Sequence, residues 1–189
     1  DYQNFRDLPI VNTSNNSVYL RFGLISIRKL FKYAQTKNET YCNELIWREF
    51  FMQILYHFPK VINNNFKSKY NFIPWRNNED EFKLWCEGKT GYPIVDAGMR
   101  ELYETGWMHN RVRMIVASFL VKHLRIHWLE GEKHFRNSLL DFNIANNVAG
   151  WQWVAGTGAD AAPYFRIFNP ILQGEKFDSN GDYVKKWCP

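Results

Sequence analysis

Cysteine is scarce in this chain: Cys42, Cys86 and Cys188 are the only three in 189 residues, and no CxxC spacing occurs. That count excludes a disulfide framework or a cysteine-built zinc site, so no metal is expected, and it points to a reducing compartment, the cytoplasm. Long apolar runs are missing too. The longest, residues 114–121, falls well short of the roughly 20 residues needed to cross a bilayer, so no membrane partner is expected. Strand-like alternation is nearly absent, and there is no repeat, low-complexity tract or linker. The chain opens on Asp1-Tyr2-Gln3-Asn4, with neither methionine nor a signal segment, as expected of a piece of something longer.

What is present suits one packed domain. Hydrophobic residues make up 46% and aromatics 17% of the chain, enough for a real core. Apolar residues recur at helical spacing over residues 20–34, 44–58, 79–87, 93–105, 108–128 and 133–140, so the predicted fold class is all-α. Segments 12–16 and 63–71 read as loops, the second running on to 75–78. Lys and Arg exceed Asp and Glu by 24 to 19, a modest excess that suits a polyanion such as nucleic acid without requiring one.

The densest chemistry lies between Asp141 and Pro170, where Asn147, Trp151, Trp153, a Gly-Thr-Gly-Ala-Asp run and Arg166 follow in close order. Flat aromatic faces beside amides and charges suit a pocket for a planar heterocycle. Upstream, Glu44, Trp47, Arg48 and Phe51 fall on one helical stripe. They form either a surface Glu44–Arg48 pair beside a half-buried indole or a wall facing a base and its phosphate.

The helix through Asn110 becomes apolar nearly all round after Arg113, which marks it as central. Asn110 and Met114 share a face, with Arg111 beside them and Arg113 pointing elsewhere. An arginine entering a core needs a carboxylate, and Asp141 is a candidate. Thr13-Ser14-Asn15-Asn16-Ser17 supplies hydroxyls and amides before a helix, as an anion cradle or as plain capping.

Two signals are declined. Gly156 to Ala161 imitates a dinucleotide fingerprint but lacks a strand–helix–strand context. His123 and His127 stand four apart with no third ligand spaced nearby. Eight tryptophans are mostly core or surface anchors, yet closely spaced indoles also relay electrons. On an unbroken helix Trp128 would lie about 22 Å along the axis from Arg113, too far for one hop.

Together these motifs resemble the flavin-binding catalytic domain of the photolyase/cryptochrome family, most closely its microbial class I cyclobutane pyrimidine dimer photolyases. The likeness runs from Tyr2 to Trp187 and is densest over residues 88–97, 106–111 and 151–174. It implies a light-driven DNA repair lyase that uses reduced anionic FAD, acts as a monomer on dimer-containing DNA, and normally carries an N-terminal α/β antenna domain and a further C-terminal stretch outside this chain. By resemblance, Tyr2 and the loop Thr13, Ser14, Asn15, Asn16 and Ser17 hold FAD. Arg113 and Asp141 form a salt bridge beside the flavin ring, Asn143 meets its polar edge, and Asn147 faces N5.

Glu44, Trp47, Arg48, Asn110, Arg111, Met114 and Trp153 would line the lesion pocket, with Arg6 at the lesion phosphate. Trp151, Trp128 and Trp75 match the family's electron relay. The chain departs from the family pattern at Asn16, Val18, Asn143 and Val148. The alternatives are a blue-light receptor of the same family, against which Asn147, Trp47, Met114 and Trp153 count, and a non-catalytic flavin- or DNA-binding remnant.

Overall fold

The computed structural model describes residues 2–189, and the described residues contain helices and no strand. Four helices carry the core: α6 (Pro93–Thr105), α7 (Asn110–Ser118), α8 (Trp128–Ser138) and α9 (Ile144–Ala155). Their ends follow from local chemistry. Pro93 occupies the first turn of α6, where its missing N–H costs nothing, and Gly106 closes the helix at φ 66°. His109, His127 and Asn143 each accept a backbone N–H at the start of α7, α8 and α9, satisfying a donor that the helix leaves orphaned.

Two glycines set how closely these helices approach. A methyl on Gly98 of α6 would overlap Cγ1 of Val112 and press on Val116, so α6 lies directly on α7. A methyl on Gly131 of α8 would overlap Cη2 and Cζ3 of Trp151, so the indole of α9 rests on the α8 backbone. Around this frame lie α1 (Tyr2–Phe5), α2 (Asn16–Arg21), α3 (Ile27–Gln35), the long α4 (Glu39–His57), α5 (Glu79–Cys86), α10 (Pro170–Phe177) and α11 (Asp182–Trp187).

Several sequence expectations need correcting. The segment 20–34 is two helices, because Gly23 adopts φ 69° after α2 and the chain turns before α3. The segment 108–128 is not one helix. After Ser118 it widens into a π-turn over Phe119–His123, then breaks at Arg125, whose φ is 54°, and Trp128 opens the next helix. The separation estimated along one axis therefore does not apply to Arg113 and Trp128. Within the aromatic segment that follows Asp141, residues Ile144–Ala155 form the regular helix α9, and residues 156–169 are irregular.

Candidate functional site

A cavity of about 350 Å³ opens between α2, α4, α7, α8 and α9. Its volume falls in the range of small-molecule sites. One wall is α9 with the turn before it: Asp141, Asn143, Asn146, Asn147, Gly150 and Trp151. Asn110, Arg113 and Met114 of α7 form a second wall, Glu44, Leu45 and Arg48 of α4 a third, and Ser14, Asn16 and Ser17 enter from α2 and the loop before it. Tyr41 lines the cavity as well, and its hydroxyl meets Ser14 Oγ at 3.2 Å and accepts from Asn16 Nδ2 at 3.1 Å.

The charges are arranged in pairs. Arg113 Nη2 donates to both oxygens of Asp141, at 3.1 and 2.9 Å, while its Nε donates to the Met108 carbonyl at 2.7 Å. The Asp141 side chain is 4% exposed, so its carboxylate depends on that guanidinium. Arg113 therefore lines the same cavity as Asn110 and Met114, contrary to the helical-wheel expectation that it points elsewhere. Glu44 is paired with Arg6 at 2.6 Å rather than with Arg48, whose Nη1 instead reaches Met52 Sδ at 3.4 Å. With Asp141 and Glu44 both neutralised, Arg48 and Arg21 leave the cavity with positive charge unmatched by carboxylate among the described residues.

The amides of α9 are oriented, and their orientation has a cause. Asn143 caps the helix, its Oδ1 accepting from Asn146 N at 3.2 Å and from Asn146 Nδ2 at 2.8 Å. Asn147 Nδ2 donates to the Glu132 carbonyl at 3.2 Å and to Glu132 Oε1 at 3.1 Å. Two acceptors on that side fix which end of the amide is nitrogen, leaving Oδ1 as the atom free for the cavity. Glu132 is fully buried and is itself held by Arg136 at 2.8 Å. Sequence reasoning does not reach Glu132, because a Glu four residues before an Arg reads as an ordinary surface pair.

Apart from Trp151, the other expected residues sit outside the cavity lining. Tyr2 packs edge-on against Tyr41 at 5.2 Å, and Thr13 and Asn15 belong to the loop but not to the wall. Arg111 turns to Asp7 at 2.8 Å and lies 4.4 Å over the Phe177 ring. Trp47 is 43% exposed, stacks on Phe51 and meets Phe50 edge-on at 5.5 Å. Trp153 lies beneath the Arg166 guanidinium at 5.3 Å. Trp151 is buried against Trp85 and Phe135, and Trp128 is fully buried with its Nε1 donating to Asn65 Oδ1 at 2.9 Å. Trp75 is half-buried near the surface, beside His127.

With that geometry in hand, comparison with known proteins is decisive. Residues 41–189 match the family described as the FAD binding domain of DNA photolyase. The chain belongs to this family. A deoxyribodipyrimidine photo-lyase of Agrobacterium fabrum is 51% identical over the whole chain, which covers 41% of that protein. A class III photolyase structure from Agrobacterium tumefaciens superposes with a TM-score of 0.93 at 51% identity, over 98% of this chain and 40% of that one. An archaeal photolyase of Sulfolobus tokodaii, solved with two FAD molecules, gives 0.94 at 45% identity, over 100% and 43%. The chain thus spans less than half the length of these photolyase relatives. Because one of them is a class III enzyme, the class I likeness of the motifs does not extend to a class assignment.

Proposed function

We propose that this chain is the catalytic FAD-binding part of a light-driven DNA repair lyase that splits cyclobutane pyrimidine dimers. The observation that carries the proposal is the cavity wall itself. The ion pair Arg113–Asp141, the capping amide Asn143 and the locked amide Asn147 present donors and acceptors in a row along one side, with the Trp151 indole behind them. That row fits the polar edge of a flat heterocycle, and the hydroxyls and amides of Ser14, Asn16 and Ser17 with the unmatched Arg48 fit a phosphate-bearing tail. FAD, when bound, supplies the photochemical electron.

The protein's own part is orientation and exclusion of water. Asn147 holds Oδ1 toward the heterocycle because Glu132 occupies its nitrogen. Glu44, set by Arg6, offers a carboxylate edge to an extruded pyrimidine pair, and the exposed Trp47 offers aromatic surface to pack against it. Trp151, Trp128 and Trp75 form the path by which electrons reach the cavity from the surface. The site works on DNA inside the cell, and as a monomer. Among the described residues no helix is long and apolar enough to cross a membrane.

Purified protein titrated with FAD tests the cofactor assignment: a bound flavin spectrum is expected, and protein that stays colourless with added FAD overturns it. Trp47→Ala is expected to weaken binding to dimer-containing DNA at least tenfold while leaving flavin absorbance intact. Loss of flavin instead would remove Trp47 from the lesion face.

A further inference from the structure

Helix α8 starts on an unusual cap. His127 Nδ1 accepts the Leu129 N–H at 3.1 Å, while its own backbone N–H is held by Asn77 Oδ1 at 2.8 Å. A cap that uses Nδ1 as acceptor requires the neutral tautomer with the proton on Nε2. The same ring packs against two tryptophans, 5.1 Å from Trp75 and 5.7 Å from Trp128. Neither indole has a base to take its proton. Trp128 Nε1 donates to an amide oxygen, and Trp75 Nε1 is buried with no partner. An electron vacancy on either ring therefore remains a full positive charge beside His127.

We propose that the charge state of His127 tunes the tryptophan relay: its neutral imidazole, lying against Trp75 and Trp128, leaves the outward movement of positive charge favourable, and its protonation blocks that movement. The proposal rests on the relay reading above. One electron leaves Trp151 for the light-excited oxidised cofactor, Trp128 refills Trp151, and Trp75 refills Trp128. The vacancy ends on Trp75, where a small thiol in solution donates an electron and gives its proton to water, and two oxidised thiols pair as a disulfide. A cation on His127 penalises charge on Trp128 and Trp75, which it touches, more than on Trp151, whose ring neighbours are Trp85 and Phe135.

Burial keeps the His127 pKa below its ordinary 6.5. On its own helix Glu130 favours the protonated form and Lys133 opposes it. Arg125 stands two residues before it, and Arg76, next to Trp75, is engaged by Glu81 of α5. Two unit charges about 5 Å apart interact by far more than thermal energy even at the effective dielectric of a protein surface. With solvent screening at this half-exposed position, about a tenfold loss of rate is expected on full protonation.

The test is photoreduction of FAD-loaded protein with thiol present, followed as pH falls from about 7.5 through the His127 midpoint read by NMR. It is run on wild type, His127→Asn, whose Oδ1 preserves the cap, and His127→Asp, a second capping variant. At low pH the wild-type rate is expected to fall about tenfold relative to His127→Asn, with a midpoint matching the His127 titration seen by NMR. His127→Asp is expected to stay at least as fast as neutral wild type throughout. Parallel profiles in wild type and both variants overturn the proposal, and the relay survives that result if Trp75→Phe is slow. A Trp75→Phe variant as fast as wild type overturns the relay and the proposal with it.

Discussion

Glu132 is the residue on which the orientation of the cavity amide depends, and Glu132→Gln separates its charge from its shape. In the native protein Oε1 accepts from Asn147 Nδ2 at 3.1 Å and Arg136 Nε at 3.3 Å, and Oε2 accepts from Arg136 Nη2 at 2.8 Å. Glutamine has one acceptor in place of two. If its oxygen serves Asn147, its NH2 confronts the Arg136 guanidinium; if the amide turns over, two NH2 groups meet in a site with no solvent. Arg136 is 38% exposed and can rehydrate, so the first arrangement prevails and the loss is one charge-assisted bond with partial compensation. That amounts to about 1–2 kcal/mol. Glu132→Leu leaves Asn147 with only the backbone carbonyl, at a cost of about 2–4 kcal/mol.

Denaturant unfolding of wild type, Glu132→Leu, Asn147→Ala and the double variant gives the coupling, expected to be at least about 0.5 kcal/mol for residues in direct contact. Additive effects within error would refute the claim that Glu132 holds Asn147. Flavin affinity tests the same dependence by a separate readout, and is expected to fall in Glu132→Leu and to be largely kept in Glu132→Gln, whose oxygen still serves Asn147.

Three further outcomes follow from the packing and the titrating groups. Gly131→Ala gains about 1 kcal/mol of helix propensity but overlaps Trp151 and meets Leu120 Cδ2 at 2.7 Å; a net loss of about 1–2 kcal/mol is expected by thermal unfolding, and a gain would show that Trp151 has room to move. Arg113→Met strands the buried Asp141 carboxylate and is expected to cost about 3–5 kcal/mol, whereas Arg113→Met/Asp141→Leu recovers part of it; equal losses would disprove the coupling. Burial lowers His109 to a pKa of about 4, so the folded state resists a proton that the unfolded chain takes up near 6.5. Its contribution is complete above pH 6.5 and is lost as pH falls toward 4, by about 3 kcal/mol. The difference between wild type and His109→Asn, which keeps the α7 cap, should show that slope, and a flat difference would contradict it.

The helical class of the fold is legible because apolar residues recur at helical spacing and Pro93 and Gly106 mark ends that sequence alone identifies. Helix breaks are not. Arg125 in a left-handed conformation has no sequence signal, and an apolar run continuing through Phe119–Val121 hides the π-turn. At the site, the Asn110–Met114 face and the Arg113–Asp141 pair follow from periodicity and from the cost of a buried charge. Glu44 taking Arg6, 38 residues away, and Glu132 orienting Asn147 depend on tertiary approach that local spacing does not encode. Spacing presents His127 only as half of a metal-ligand pair, and its place between two indoles becomes visible once Trp128 proves to begin a new helix.

The most direct test is repair of an oligonucleotide carrying one cyclobutane pyrimidine dimer by the FAD-loaded, chemically reduced protein, measured in blue light and in darkness. Light-dependent restoration of the intact pyrimidines, lost in darkness, is the expected result. Equal and negligible repair in both conditions by protein with flavin bound would contradict the proposed function.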